Sequence, residues 1–362
     1  MPTPVPGISR LAPYAQGQSA LPGTANPIKL SANESAQGPS PAALKAYHQA
    51  AEQLHRYPDG SQSALRQAIG DVLGLDPSGI ICGNGSDELI LLMVRAYLQP
   101  GDDALLSENS FEMARIHAIA QGGNVIAAPE RNHRIDVSAL LALATERSKL
   151  CIIANPNNPT GTYITGAELR QLRSGLPDSC LLLIDGAYAE FVDRADYDCG
   201  QTLVEAGANV VMTRTFSKIY GLAGLRIGWA YCPPNVVDAV QRIRTPFNAS
   251  GPALAAAEAA IRDTDHVQRA RRHNSAWLER IAAAAAAMGL TMVPSVANFY
   301  LLRFPAGSGK SGASAAAFLM RRGIIPRPAA ANDLLLRVTV GLDHENEAVL
   351  SALSDYMGVA QM

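Results

Sequence analysis

The stretch VVMTRTFSKIYGLAGLR, Val210–Arg226, decides how this chain is read. Val210–Thr213 is a short apolar, β-branched run of the kind that forms a buried strand. Thr215-Phe216-Ser217-Lys218 follows it, and Arg226 lies eight residues past the lysine. A lone Lys-Ser pair carries no meaning, and a lone arginine can pair with any surface acid. What gives the stretch weight is the company of other strand ends.

Working outward, Ala104–Leu106, Asn124–Ala127, Leu150–Ala154 and Cys180–Ile184 also read as strands. Helical patterns at Asp87–Leu98, Glu112–Gln121, Val137–Thr145 and Gly166–Ser174 are interleaved with them. Apolar strands spaced by helices predict an α/β fold: three layers around a mostly parallel sheet, with functional groups at the carboxyl ends of its strands. Beyond about Arg244 the pattern changes. Two alanine-rich helices, Pro252–Asp263 and Asp265–Met288, precede the strand Asn298–Phe304. A helix at Ala313–Arg322, strands at Gly323–Ile325 and Leu334–Val340, and a helix at Asp343–Met357 follow. This predicts a smaller α/β domain on an antiparallel sheet. The expected division is a large domain at 48–245, with 1–47 and 246–362 forming an N-terminal arm and the small domain. Residues 1–40, rich in Pro, Gly, Ser and Ala, read as an extended arm that needs something to lie against.

The totals exclude several classes. The chain has 362 residues, 48% of them hydrophobic and 17% charged, with a formal net charge of −2. Disorder calls for the opposite balance, and a nucleic-acid binder calls for a basic excess. The five cysteines form no CxxC pair and read as thiols in a reducing compartment. The seven histidines show no HxxxH or HExxH spacing, so no metal site is expected. The N-terminus lacks the apolar core of a signal peptide, and the most apolar stretch, Ile281–Val293, is too short to span a bilayer. A cytoplasmic protein without membrane or nucleic-acid partners is expected.

Two motifs invite misreading. Gly307-Ser308-Gly309-Lys310-Ser311 looks like the end of a P-loop, but the full pattern needs glycine where Phe304 stands. A surface turn is the better account. Gly83-Asn84-Gly85-Ser86-Asp87-Glu88 fails as a dinucleotide fingerprint, because Glu88 occupies the third glycine position. It still suits an anion: glycines allow close backbone approach, and a helix N-terminus offers free N–H groups and partial positive charge. A plain strand–helix turn capped by Ser86 is the competing reading.

Three strand-end segments now line up. Asn155-Pro156-Asn157-Asn158-Pro159-Thr160-Gly161 is a rigid loop that fixes an amide. Asp185 ends a buried strand, where an unpaired carboxylate is costly. Lys218 follows the next strand. In this order and spacing the chain resembles fold-type I pyridoxal-phosphate (PLP) aminotransferases, and most closely the histidinol-phosphate aminotransferase family. The resemblance extends from Arg10-Leu-Ala-Pro-Tyr14 through Leu336-Arg337-Val-Thr-Val-Gly341.

The resemblance implies PLP as cofactor and roles for particular residues. Lys218 would bond covalently to the cofactor and afterwards move the substrate proton. Asp185 would pair with the pyridine nitrogen. Asn158 and Tyr188 would donate to the ring oxygen and so lower the pKa of the lysine–cofactor linkage. Phe111, where the family usually has tyrosine, would stack on one ring face and Ala187 would press on the other. Gly85, Ser86, Asp87, Thr215, Ser217 and Arg226 would hold the phosphate. Tyr57 would reach the phosphate of a neighbouring subunit, which makes the expected assembly a homodimer with shared active sites.

On the substrate side, Arg337 would take the carboxylate of glutamate or 2-oxoglutarate, while Arg327, Tyr14 and Asn33 would line the distal pocket. An interdomain ion pair is the competing reading of Arg327. Three departures stand out: Gly186 where glutamate is usual, Ser31–Ala36 without the usual Asn-Glu-Asn-Pro run, and 328–333 without a Gly-Tyr-Gly turn. They are expected near substrate entry or domain closure, where they bear on the choice of amino donor. An aromatic amino acid aminotransferase, a threonine-phosphate decarboxylase-like enzyme and a non-catalytic PLP-binding protein are the alternatives.

Overall fold

The computed structural model of the chain describes residues 2–329 and 332–359. Seven strands form the main sheet, in the order 80–83, 228–231, 210–215, 181–185, 148–154, 103–107 and 124–128. All run parallel except Gly228–Tyr231, which is antiparallel to both of its neighbours. The predicted strands are therefore present, with ends that differ by a few residues: the decisive strand runs to Thr215, and the acidic one is Leu181–Asp185.

Alternation along the strands feeds two apolar faces. Leu181, Leu183 and Val211 point to one face, where they pack with Leu89, Met93, Ala118 and Val240 of the helices Ser86–Tyr97, Glu112–Ala120 and Pro234–Ile243. Leu182, Ile184, Val210 and Met212 point to the other, against Leu65, Ile69, Leu169 and Ala256. Each such buried aliphatic side chain contributes roughly 1.5–3 kcal/mol. Burial on both faces is why these strands read as continuous apolar runs.

The strand Gly228–Tyr231 was not expected. It is four residues long, and its pairing with two distant strands has no local signature. Its Gly228 fits tightly: an added Cβ would come within 2.5 Å of the Ser86 backbone nitrogen. A second antiparallel sheet joins 291–293, 299–303, 335–339 and 327–328. It has a core of its own around Trp277, Tyr300, Leu336, Val338 and Leu353. The long helix Thr264–Ala287 contributes to both cores, through Ala270 to one and Trp277 and Ile281 to the other.

The N-terminal arm does find something to lie against. Ile28–Lys29 pairs in parallel with Ile324–Ile325. Gly307–Ser311 is a turn between strand and helix, and Ser311 caps the following helix by accepting from the Ser314 amide. Ala330 and Ala331, in the stretch read as lacking a Gly-Tyr-Gly turn, lie outside the described residues. No helix among the described residues is long and apolar enough to cross a membrane.

Candidate active site

Adjacent parallel strands deliver their end residues to one place. Asp185 sits in register with Ala154 on one side and Thr213 on the other. Its Oδ1 accepts from Thr213 Oγ1 at 3.1 Å, and the Ala187 amide donates to the same carboxylate. Burial outweighs these bonds and pushes the carboxyl up to about 6. Lys218 lies beyond the next strand, half-buried, with Nζ donating to the Ala32 carbonyl at 3.2 Å. Burial, and then the nearby Arg337 charge, bring its amine down to about 8. The same Nζ lies 5.6 Å from the centroid of the Tyr188 ring.

Asn158 stands on a loop held by its neighbours. Asn157 Nδ2 donates to the Asn109 carbonyl at 2.9 Å and to Glu130 Oε1 at 3.1 Å, and Asn155 bonds both ways with the Ile164 backbone. Asn158 Oδ1 accepts from Arg337 Nη1 at 2.6 Å, which leaves its amide hydrogens to face another acceptor. Arg337 also donates from Nη2 to the Ser31 carbonyl at 2.9 Å, and its Nε is buried without a partner. Burial pulls its guanidinium below the usual value, and the nearby Arg327 charge adds to this. Arg327 is the cross-strand partner of Arg337 and donates to the Ala15 carbonyl at 2.9 Å. It makes a bond to the arm rather than an interdomain ion pair.

At the other end, Gly85 precedes the helix Ser86–Tyr97 with φ +88°, a conformation that suits glycine. A Cβ there would meet Arg226 Nη2 at 2.7 Å. Arg226 Nη1 donates to Ser217 Oγ at 3.2 Å, and the Ser217 amide donates to Thr215 Oγ1 at 3.1 Å. A guanidinium, two hydroxyls and a helix N-terminus thus converge. Gly85, not Ser86, is the capping residue, and Asp87 in the first turn meets His117 Nε2 at 3.1 Å.

Other expected residues fall around this centre. Ala187 and Tyr188 are buried, and Phe111 is half-buried at the start of the helix Glu112–Ala120. Tyr57 is 83% exposed and stacks on Phe247, with centroids 4.7 Å apart. Tyr14 is exposed. Asn33 is not an open pocket residue. It is buried, its Nδ2 donates to Tyr188 Oη at 2.9 Å, and its Oδ1 accepts from Thr339 Oγ1 at 3.3 Å. Gly186 is buried too, packed against Arg214: a Cβ would lie 3.0 Å from Arg214 Cδ. That departure accommodates the buried Arg214–Glu190 ion pair rather than shaping an entrance. Sequence reasoning missed Thr213, Ala32 and Ser31 as contacts of the site. Two of the three act through backbone carbonyls, which leave no trace in residue type.

Residues 25–353 match the model of the family "Aminotransferase class I and II". The chain belongs to this family. Two similar curated relatives of the aminotransferase are both called histidinol-phosphate aminotransferase. One, from Paramagnetospirillum magneticum, is 49% identical over 359 residues, 99% of each chain. The other, from Rhodopseudomonas palustris, is 48% identical over 359 residues, 98% of each. Among solved structures, histidinol-phosphate aminotransferase from Sinorhizobium meliloti in complex with pyridoxal-5'-phosphate matches with TM-score 0.87 and 31% identity. That match covers 98% of this aminotransferase and 97% of the other chain. The α/β, three-layer arrangement is that of the PLP-dependent transferases of fold type I.

Proposed function

We propose that this aminotransferase uses pyridoxal 5'-phosphate to convert L-histidinol phosphate and 2-oxoglutarate to imidazole-acetol phosphate and glutamate. The observation that carries the substrate is the pair Arg327 and Arg337. Two like charges directly opposite on neighbouring strands destabilise a sheet unless an anion lies between or beside them. Glutamate brings an α-carboxylate and a second anionic end. Histidinol phosphate brings a phosphate at its far end, and phenylalanine or tyrosine brings nothing there. The full-length similarity to histidinol-phosphate aminotransferases supports the same choice.

The donor set fits the cofactor. A depressed lysine amine, a buried acid beside it, and a glycine cradle facing Arg226 supply a nucleophile, a ring-nitrogen partner and a phosphate seat. When bound, PLP supplies an electron sink for the carbanion left at the substrate carbon. Lys218 provides the attacking amine and then holds or returns the proton at Nζ. Asp185 would hold a proton on the ring nitrogen. Tyr188 and Asn158 donate toward the ring oxygen. Gly85, Ser86, Asp87, Thr215, Ser217 and Arg226 fix the phosphate. Phe111 and Ala187 confine the ring between them. Arg337 takes the substrate carboxylate, and Arg327 with Tyr14 faces the distal anion.

The exposed ring of Tyr57, with Phe247, Leu44 and Leu54 also exposed, supports a homodimer in which Tyr57 completes the neighbouring phosphate site. The proposed domain division remains 48–245 against 1–47 with 246–362, and the proposed location is the cytoplasm.

Two measurements test these assignments. In a panel of amino donors, histidinol phosphate is expected to give the highest kcat/KM, by about 10²-fold or more over phenylalanine and tyrosine. A preference for an aromatic donor replaces the substrate reading. The rate at which cofactor-free protein takes up PLP, followed by visible absorbance, is expected to rise with pH and level off near 8, as the Lys218 amine loses its proton. Arg337→Leu removes a like charge, so the levelling point should move to higher pH. An uptake rate that is flat in pH would remove the depressed amine from its role.

A further inference from the structure

The N-terminal arm reaches the site. Residues 31–34 wrap the groups already described: the Ser31 carbonyl accepts from Arg337, the Ala32 carbonyl from Lys218, and the Asn33 side chain meets Tyr188. Asn298 Nδ2 clamps this segment by donating to the Asn33 and Glu34 carbonyls, each at 3.1 Å. Asn33 has φ +55°, a left-handed conformation that asparagine tolerates better than most residues.

The direction of the Asn33–Tyr188 bond follows from the groups around it. Thr339 Oγ1 accepts from the Asn33 backbone N–H at 3.0 Å and donates its own proton to Asn33 Oδ1 at 3.3 Å. That places the carbonyl side of the amide at Thr339 and the NH₂ side at Tyr188. An amide NH₂ has no lone pair to accept with. The Tyr188 hydroxyl can therefore only accept from Asn33, and its single proton must go elsewhere. Lys218, 5.6 Å from the Tyr188 ring, marks the side on which the cofactor would be held.

We propose that Asn33 is a positioning residue that turns the Tyr188 hydroxyl proton toward the ring oxygen of the bound cofactor. This rests on the PLP reading above. It gives Asn33 a role in tuning the cofactor instead of the distal-pocket role expected from resemblance. Accepting one hydrogen bond also polarises a hydroxyl into a better donor for the next. Asn33 thus acts on the cofactor through Tyr188, from an element distant in sequence from the main sheet.

The test is the visible-absorbance pH titration of the holoenzyme, which reads the protonation of the lysine-linked chromophore. Asn33→Gly keeps the backbone conformation and removes the donor. Its titration midpoint should rise by about half to one pH unit, because the ring oxygen loses part of its hydrogen bond. Tyr188→Phe should raise the midpoint further. The double variant should titrate with Tyr188→Phe alone, since Asn33 has nothing left to aim. If Asn33→Gly is recovered without cofactor, Asn33→Asp carries the test. Its carboxylate accepts from Tyr188, reverses the bond and should raise the midpoint at least as much. An unmoved midpoint in the variant that holds cofactor, or a shift fully additive with Tyr188→Phe, overturns the proposal. Failure of the PLP reading is distinct: the unmutated protein would then be colourless after PLP addition and yield no reduced adduct at Lys218.

Discussion

Lys218→Ala is expected to lower transamination by about 10⁴-fold or more while leaving the fold intact. The side chain is half-buried beside Asp185, Tyr188 and Arg337, and its amine is held near 8 where a free lysine stays charged. Truncation removes both the nucleophile and the group that carries the substrate proton. The variant should still take up PLP through the phosphate seat, but borohydride should fix no adduct. Turnover within tenfold of the unmutated enzyme would take Lys218 out of both roles. Loss of the ammonium should also stabilise the cofactor-free chain at neutral pH. A lysine depressed from 10.5 to about 8 binds fewer protons folded than unfolded. Its contribution is therefore unfavourable below pH 8 and is relieved as pH rises from there through 10.5.

Asp185→Asn is expected to lower kcat by about 10²–10³-fold and weaken PLP retention, because a neutral amide cannot hold the ring nitrogen protonated. The same substitution should stabilise the cofactor-free protein. Asp185 is raised from 3.8 to about 6 by burial, so the folded chain keeps a proton that the unfolded chain has lost. Stability from this group falls as pH rises through that window, leaving a deficit of about 3 kcal/mol at pH 7. Asparagine can still accept from Thr213 Oγ1 and carries no charge to desolvate. Cofactor-free Asp185→Asn should thus melt several degrees above its parent at pH 7.5, with little difference at pH 4. A lower melting point at pH 7.5 would mean that the carboxylate is held by more than its observed partners. A cationic ring nitrogen beside the carboxylate would offset its desolvation in the holoenzyme.

Much of this was legible in the chain. The strands of the seven-stranded sheet were readable because they are buried on both faces, which makes them short continuous apolar runs. Asn158, Asp185, Lys218 and Arg226 stood out as candidates because side chains of those types follow strand ends in an order that no single motif supplies and that resembles the family's. The strand Gly228–Tyr231 escaped notice, since its pairing depends on partners at 80–83 and 210–215 rather than on its own four residues. Gly186 was misplaced for a similar reason: its neighbour Arg214 is fixed by the fold, not by sequence distance.

The sequence by itself determined the fold class and the family, and its residue types and spacing singled out the acid, amide, lysine and arginine proposed for the cofactor site. Only the tertiary structure decided what those groups face. It turned Asn33 from a pocket residue into the hydrogen-bond donor of Tyr188, and gave Arg327 the carbonyl of Ala15. It also set the shifts of Asp185 and Lys218, which depend on burial and on charges brought close by distant segments. Residue type sets what a side chain can donate, accept or ionise. Its direction and its desolvation come from neighbours that only folding supplies.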